Sequence, residues 1–427
     1  MRILIGELAG KKGEGVMIQG WVSVRRDQGK MVFFDFRDRS GSVQGVVLPA
    51  SPAIETAKDV RNEYVVSVEG TVNARPEKNI KAGAQNGDIE LEVTGIEILS
   101  RAEIPFELGS EVNLDTYLDH QPFTLRSEKS RQIFKVQNAI LQGFRDGMQS
   151  QDFAEFQAPA LVGGDAEGGA AAFKVDYYYD QTAYLATSPQ LYKQIMVGVF
   201  ERAYATPKIF RGEKHSTSRH LSEYTSMDFE MGFIKDHTDV MAALEKTLRL
   251  IVDRVGLPVA MPDSIPVLKL REVQKKLGVS ETEPDLEPEH ERAICEWALK
   301  EHNSDFVFVT HYPVKKRPFY TYEDEADPGY TKSFDLLFRG LEITTGGQRI
   351  HDYDKLVSNI KEWGLDPNKF SFYLEAFKTG MPPHGGSATG LERLTARLLN
   401  LPNIKEATLF PRDLNRIDTL LSTDKKE

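Results

Sequence analysis

The stretch GGSATGLER, residues 385–393, is the most informative segment for the fold of this chain. Leu391, Leu394 and Leu398 recur at helical spacing, so we expect them to face a core while Arg393 points elsewhere. The glycines upstream allow tight turns and a close backbone approach at the start of that helix. Taken alone, the stretch is equally compatible with a capped helix that carries solvated arginines.

A second arginine, Arg211, lies earlier in the segment FRGE, residues 210–213, which precedes TSRHLSEY, residues 217–224. A guanidinium group is planar, stays charged at any working pH, and donates to two phosphate oxygens at once. The two arginines and the Gly-rich backbone beside Arg393 therefore indicate a site that binds a polyphosphate.

Bulk composition narrows the class of protein. A length of 427 residues predicts two or three domains. The sequence contains no run of about 18 apolar residues, so we expect no membrane span. The amino-terminal residues lack a secretion pattern, so we expect a cytoplasmic location. Cys295 is the only cysteine, which excludes an internal disulfide and a Cys-rich zinc site. The net charge of −11 is unexpected for an RNA-binding protein, although local patches rather than total charge attract a polyanion.

The pattern of apolar residues divides the chain. Residues 1–103 contain five short runs with strand-like alternation, separated by Gly, Asn and Pro, which predict a small β-barrel of the OB type. Residues 104–128 are expected to form a linker. From 129 to 427, helices and strands follow no strict βαβ rhythm, which favours an α+β class with an antiparallel sheet flanked by helices. Residues 236–300 have a mostly helical pattern, and the acidic stretch 281–291 within them predicts a solvated face.

The two arginine segments resemble motifs 2 and 3 of the class II aminoacyl-tRNA synthetases. The segment FAEFQAP, residues 153–159, resembles motif 1, which implies a homodimer formed through this element. It follows a predicted helix with one apolar face, made of Ile133, Val136, Ile140, Phe144 and Met148. The run from Gly20 to Gln44 resembles the anticodon-binding OB domain of aspartyl, asparaginyl and lysyl synthetases. The resemblance covers nearly the whole chain and is strongest to the compact, archaeal-like aspartyl-tRNA synthetases.

The resemblance implies that ATP is the nucleotide and that Mg²⁺ accompanies it. Arg211 would bind the α-phosphate, Arg393 the γ-phosphate, and the ring of Tyr224 would stack on adenine. Carboxylate and hydroxyl oxygens suit Mg²⁺, and the implied ligands are Asp335, Glu342 and Thr345. The implied catalytic residues are Arg211, Glu342 and Arg393. The full implied ATP set is Arg211, Glu213, Arg219, His220, Tyr224, Glu342, Gly390 and Arg393. The family pattern is not kept at Ser387, Ala388 and Thr389, beside the adenine position.

The segment SPQLYKQ, residues 188–194, is similar to the aspartyl signature. The resemblance implies that Lys193 and Arg349 bind the side-chain carboxylate of aspartate. It also implies that Glu167, on a mobile loop, accepts from the substrate ammonium, while Ser188 and Gln190 orient the substrate. Asparagine would leave positive charge uncompensated in a desolvated pocket, and breaking a buried ion pair in this way costs about 3–5 kcal/mol. The alternatives are an asparaginyl enzyme and a synthetase paralogue that makes asparagine or binds RNA.

The barrel is expected to read the anticodon by base stacking and edge hydrogen bonds. The family-matched stacking ring is Phe33, and Arg26 and Gln44 are the implied base or phosphate contacts. The implied partners are L-aspartate, ATP and tRNA(Asp). The sequence does not decide whether tRNA(Asn) is a second substrate.

Overall fold

The computed structural model describes residues 1–164, 172–214 and 217–417. The chain divides into two compact units, Met1–Ser110 and Glu111–Glu427. The boundary lies inside the segment 104–128, for which the sequence predicts a linker, and two short helices occupy its second half. Within the described residues, no helix is both long and apolar enough to cross a bilayer.

The first unit is a closed five-stranded barrel, and the prediction of this fold is confirmed. Its strands are β1 (Gly15–Asp27), β2 (Val32–Asp38), β3 (Gly41–Val47), β4 (Val65–Ala74) and β5 (Ile89–Ser100), and they pair in the order β1-β2-β3-β5-β4. Because side chains alternate along a strand, Phe34 and Phe36 point into the barrel and are buried, whereas Phe33 is only half-buried. The helix α1 (Ile54–Asp59) adds Ala57 to the same core.

The second unit contains the remaining elements. Its helices are α2 (Leu114–Asp119), α3 (Gln121–Thr124), α4 (Glu128–Gln149), α5 (Gln190–Phe200), α6 (His237–Val255), α7 (Leu270–Leu277), α8 (Pro288–His302), α9 (Tyr353–Glu362), α10 (Ser371–Lys378) and α11 (Leu391–Leu398). Its strands are β6 (Ala154–Glu155), β7 (Leu161–Val162), β8 (Lys174–Asp176), β9 (Thr182–Leu185), β10 (Arg202–Ala205), β11 (Lys208–Phe210), β12 (Glu223–Gly232), β13 (Val267–Lys269), β14 (Phe306–Thr310), β15 (Ser333–Phe338), β16 (Leu341–Arg349) and β17 (His384–Gly390).

A large sheet organises this unit, in the order β13-β14-β15-β16-β17-β12-β10-β6, with β11 paired to β12. The predicted antiparallel arrangement is confirmed from β14 to β10. The two edges are parallel instead, where β13 pairs with β14 and β6 pairs with β10. Parallel neighbours need a crossover connection, and α7 and α8 supply it between β13 and β14.

The helices α4 and α6 cover one side of this core. Ile140, Phe144 and Met148 of α4 are buried in it, so the predicted apolar face of the motif 1 helix packs within its own chain. A Cβ on Gly143 would lie 2.8 Å from the Cα of Ile251 in α6, which explains why a glycine stands at this close crossing. The core therefore fixes the sheet whose open face carries the candidate site.

Candidate active site

A cavity of about 290 Å³ lies above β12, β16 and β17. The polyphosphate prediction depends on two segments far apart in sequence, and the fold brings both to this cavity. The antiparallel pair β11 and β12 presents the loop between them, while β17 runs directly into α11. All eight residues of the predicted ATP set line the cavity, namely Arg211, Glu213, Arg219, His220, Tyr224, Glu342, Gly390 and Arg393.

Local contacts hold the two arginines in this cavity. The guanidinium carbon of Arg211 lies 5.5 Å from the centre of the Tyr224 ring, and the Arg211 backbone N–H donates to the Ser222 carbonyl at 2.9 Å. The Arg393 Nη1 donates to the carbonyl oxygen of Glu342 at 3.1 Å and lies 3.5 Å from its Oε1 atom. The two arginines therefore border one cavity, and contacts within the protein orient both side chains without a bound phosphate.

The predicted magnesium ligands are neighbours on β15 and β16. Asp335 pairs with Thr345 across the two strands, and the Thr345 hydroxyl donates to Glu342 Oε1 at 3.0 Å. Arg317 Nη2 donates to Asp335 Oδ2 at 2.8 Å, while Asp335 Oδ1 is buried and has no hydrogen-bond partner in the part of the chain that the structure describes. Burial raises the pKa of Asp335 despite Arg317, and the nearby Glu342 carboxylate raises it further.

This donor set fits Mg²⁺. The described residues contain no group of three His, Cys, Asp or Glu side chains that could enclose a metal ion by themselves. Mg²⁺ does not need such a cage, because it keeps waters and is bound through one or two carboxylates together with substrate phosphates. The orphaned Asp335 oxygen and the carboxylate of Glu342, beside a phosphate-sized cavity, match that requirement.

Two buried cations and two buried carboxylates form the next part of the site. Lys193 Nζ lies 2.9 Å from Asp228 Oδ2 and 3.4 Å from Glu230 Oε2, and it also donates to the Ser387 carbonyl at 3.1 Å. Arg349 Nε donates to Glu230 Oε1 at 2.9 Å. Lys193 of α5 and Arg349 of β16 therefore converge on the carboxylate of Glu230 in β12.

This arrangement corrects the charge argument made from the sequence. That argument treats Lys193 and Arg349 as uncompensated in the absence of a bound carboxylate, whereas Asp228 and Glu230 already pair with them. Burial alone would raise the pKa of Glu230, but Arg349 and Lys193 outweigh it and hold this pKa below its ordinary value. The cluster is therefore neutral overall, with two positive and two negative groups.

Neutral polar side chains continue this cluster. Gln190 Nε2 donates to Gln194 Oε1 at 3.0 Å, the Tyr373 hydroxyl donates to the same oxygen at 3.1 Å, and Gln194 Nε2 lies 2.9 Å from His384 Nε2. Burial lowers the pKa of His384 to about 4, so the imidazole is neutral at pH 7. The Ser188 hydroxyl accepts from the Gln190 backbone N–H at 3.2 Å and so stands at the start of α5.

Ser188 also lines a second, larger cavity of about 1110 Å³. Glu167, the acceptor that the sequence predicts for the ammonium group, lies outside the described residues. Among the departures from the family pattern, Ala388 lines the nucleotide cavity, and Thr389 lies within hydrogen-bond distance of Thr344, 2.7 Å between their hydroxyl oxygens.

The prediction that residues 281–291 form a solvated face is wrong for the last of them. The Glu291 side chain is only 13% exposed, and its Oε2 accepts from Arg219 Nη1 at 3.0 Å. Burial raises the pKa of Glu291 to about 7, although Arg219 opposes this shift. The helix α8 thus contributes a carboxylate to the edge of the nucleotide cavity, from a segment outside motifs 2 and 3.

The three predicted anticodon residues lie on adjacent strands of the barrel. Arg26 of β1 pairs in register with Phe33 of β2, and Gln44 of β3 pairs with Asp35 of β2. All three are half-buried on the outer surface. Arg26 donates twice to Asp35, at 3.0 Å each, so the sequence reasoning missed a carboxylate that competes with any phosphate for this guanidinium.

Known proteins match both units. A family model for class II tRNA synthetases (D, K and N) matches residues 113–414, and one for the OB-fold nucleic acid binding domain matches residues 16–99. The aspartate–tRNA(Asp/Asn) ligase of Thermus thermophilus is 45% identical over 441 residues, which cover 98% of this chain and 100% of that protein. The aspartate–tRNA(Asp) ligase of Thermoplasma acidophilum is 37% identical, with 95% and 96% covered.

A solved structure extends this likeness to three dimensions. The asparaginyl-tRNA synthetase from Pyrococcus horikoshii, complexed with asparaginyl-adenylate, matches with a TM-score of 0.88 and 31% identity, covering 98% of this chain and 99% of that one. The chain therefore belongs to the class II tRNA synthetases of the D, K and N group.

Proposed function

We propose that this protein is an aspartate–tRNA ligase that activates L-aspartate with ATP and transfers the aspartyl group to the 3′ end of tRNA. The observation that carries the proposal is the convergence of Lys193 and Arg349 on Glu230, in a buried cluster next to the nucleotide cavity. The full-length similarity to aspartate–tRNA ligases supports it.

The charges of the cluster suit aspartate. Ser226 lines the nucleotide cavity and donates to Asp228, so Asp228 lies on the side of the cluster nearest the nucleotide. Because the α-carboxylate of the substrate must face the α-phosphate, the neighbouring ammonium group comes close to Asp228, which we propose as an acceptor for it in addition to Glu167. Once Asp228 pairs with this ammonium, the remaining groups of the cluster, Lys193, Arg349 and Glu230, carry a net charge of plus one. The side-chain carboxylate of aspartate supplies the missing negative charge, whereas the amide of asparagine does not.

The first chemical step needs positioning and charge stabilisation more than protein nucleophiles. An α-carboxylate oxygen of aspartate attacks the α-phosphorus of ATP, which forms aspartyl-adenylate and releases pyrophosphate. Arg211 is proposed to bind the α-phosphate and Arg393 the γ-phosphate. Asp335, Glu342 and Thr345 would hold Mg²⁺, which supplies positive charge to the phosphate oxygens when it is bound.

In the second step the aspartyl group is transferred to tRNA, and the barrel is proposed to bind the anticodon of that tRNA. Phe33, with Arg26 and Gln44 beside it, is proposed to stack on an anticodon base. The relatives are named for tRNA(Asp) alone or for tRNA(Asp/Asn), so both tRNAs are candidate substrates. We further propose that the protein is a cytoplasmic homodimer that assembles through the motif 1 element.

An asparaginyl enzyme is the second candidate, because the fold is also shared with an asparaginyl-tRNA synthetase. ATP–pyrophosphate exchange, measured in parallel with aspartate and with asparagine, separates the two. We expect exchange with aspartate only, and exchange with asparagine alone would overturn the proposal. Charging purified tRNA(Asp) and tRNA(Asn) side by side then determines the tRNA range.

A further inference from the structure

One arginine beside the nucleotide cavity has no role in the function described above. Arg397 lies on α11, one helical turn after Arg393, and is half-buried. Within residues 1–164, 172–214 and 217–417, its guanidinium group makes no hydrogen bond and no ion pair. By contrast, Arg219 is paired with Glu291, and Arg393 is paired with Glu342.

Arg397 faces a small cavity of about 40 Å³. Arg219 and Arg393 line this cavity as well as the nucleotide cavity, so the two spaces adjoin. Three arginines therefore line a space that adjoins the nucleotide cavity beside Arg393, which is proposed to bind the γ-phosphate.

The electrostatic environment of Arg397 is unfavourable without a ligand. Burial lowers the pKa of Arg397, and the positive charges of Arg219 and Arg292 lower it further, while the negative charge of Glu291 opposes them. A partly buried cation without its own counter-ion reduces stability unless an anion binds to it. The charge missing from this cluster is therefore negative, and phosphate oxygens match the planar guanidinium donors.

We propose that Arg397 is a further residue, beside Arg219 and Arg393, of the subsite for the outer phosphate of ATP and for the pyrophosphate released from it. This inference rests on the proposed function. When the α-carboxylate oxygen of aspartate bonds to the α-phosphorus, the bond from that phosphorus to the bridging oxygen breaks. The electron pair stays on the bridging oxygen, so the leaving pyrophosphate gains negative charge. Arg397 stabilises that charge and acts on the leaving group rather than on adenosine.

The test compares ligands that differ only in their outer phosphates. Binding of ATP, AMP and pyrophosphate to the full-length protein is measured by titration calorimetry, for the wild type and for Arg397→Gln. We expect ATP and pyrophosphate to bind about tenfold more weakly to the variant, and AMP to bind equally well. Arg397→Lys keeps the charge without the planar fork and should lie between the two. Unchanged ATP affinity, or equal losses for ATP and AMP, would overturn the subsite.

The matched control is Arg292→Gln, which removes the same charge from an exposed neighbour on α8 that does not line the small cavity. We expect it to leave all three affinities unchanged, and a loss equal to that of Arg397→Gln would mean that only long-range charge matters. Because Arg397 has no hydrogen-bond or ion-pair partner among the described residues, the melting temperature of Arg397→Gln should not fall, and a fall would instead indicate a structural role.

The same experiment separates this inference from the proposed function. The binding measurements contain no amino acid and no tRNA. If wild-type protein fails to exchange pyrophosphate with aspartate but Arg397→Gln still weakens the binding of ATP and not that of AMP, the subsite stands and the proposed substrate fails. If exchange with aspartate occurs but Arg397→Gln does not weaken ATP binding selectively, only the subsite fails.

Discussion

Arg349 Nε lies 2.9 Å from Glu230 Oε1, and both side chains are almost inaccessible to solvent. Among the described residues, replacing Glu230 by Gln leaves Asp228 as the one carboxylate paired with this cluster, on Lys193. Removing one partner of a buried ion pair is strongly destabilising, because the other charge stays buried without compensation. We therefore expect Glu230→Gln to lower the free energy of unfolding by about 3 kcal/mol, measured by urea denaturation.

The control for this prediction is Glu325→Gln. Glu325 pairs with Lys355 at 3.5 Å, but its side chain is 76% exposed. Exposed pairs contribute little because water screens them, so we expect Glu325→Gln to unfold at nearly the same urea concentration as the wild type. Equal losses of unfolding free energy in the two variants would show that the buried Glu230 pair stabilises the fold no more than an exposed pair does.

Lys193 is the residue that most directly connects the cluster to the choice of amino acid. We expect Lys193→Gln to lower kcat/KM for aspartate in pyrophosphate exchange by about two to four decades, because the side-chain carboxylate loses one of its two cations. The ratio of aspartate to asparagine activity should fall as well. Lys246→Gln, at an exposed position of α6, is the control and should leave both activities unchanged. A uniform loss with both amino acids would argue against charge selection by Lys193.

Phe33 allows the barrel to be tested separately from the catalytic unit. Because loss of a base-stacking ring costs about 1–3 kcal/mol, Phe33→Ala should raise the KM for tRNA by roughly ten- to a hundredfold. Pyrophosphate exchange, which needs no tRNA, should stay at the wild-type level. Leu99→Ala removes an exposed apolar side chain elsewhere on the same barrel and should change neither quantity. A loss of exchange in Phe33→Ala would mean that the barrel affects the amino acid site or the fold.

Local sequence patterns were sufficient for the barrel and for the antiparallel part of the large sheet, and the resemblance to class II synthetases supplied the residues of the nucleotide cavity. Alternating apolar residues identified the barrel, and the segments around Arg211 and Arg393 identified the loop and the helix that border the cavity. Both signals are local, because a strand period or a short motif lies within a few residues. The parallel edges of the large sheet carry no such local signal, since they depend on which strands become neighbours after a crossover.

The residues that the sequence reasoning missed act through contacts between distant segments. Asp228 and Glu230 alternate with apolar residues along β12, and this alternation was the available signal for two carboxylates on one face. Their partners lie on α5 and β16, which no spacing rule relates to β12. Glu291 was missed for the same reason, because its partner Arg219 lies 72 residues away and its helix looks solvated in sequence.

His384 gives the fold a defined dependence on pH. Its pKa is about 4 in the folded protein, mainly because of burial, against about 6.5 in the unfolded chain. Between pH 6.5 and 4 the unfolded chain therefore binds a proton at this position that the folded protein does not. The contribution of His384 to stability is thus present above about pH 6.5 and is lost as the pH falls toward 4, by about 3 kcal/mol in total.

His384→Asn isolates this contribution. The amide of Asn can replace the Nδ1 contact of His384 with the Pro382 carbonyl, 2.9 Å apart, but it does not titrate. Free energies of unfolding measured from pH 4 to 8 should decrease less steeply on acidification in the variant than in the wild type. His237, whose pKa burial also lowers to about 4, titrates in the same window in both proteins and cancels from the difference. Parallel curves for the two proteins would show that His384 is not kept neutral by the fold.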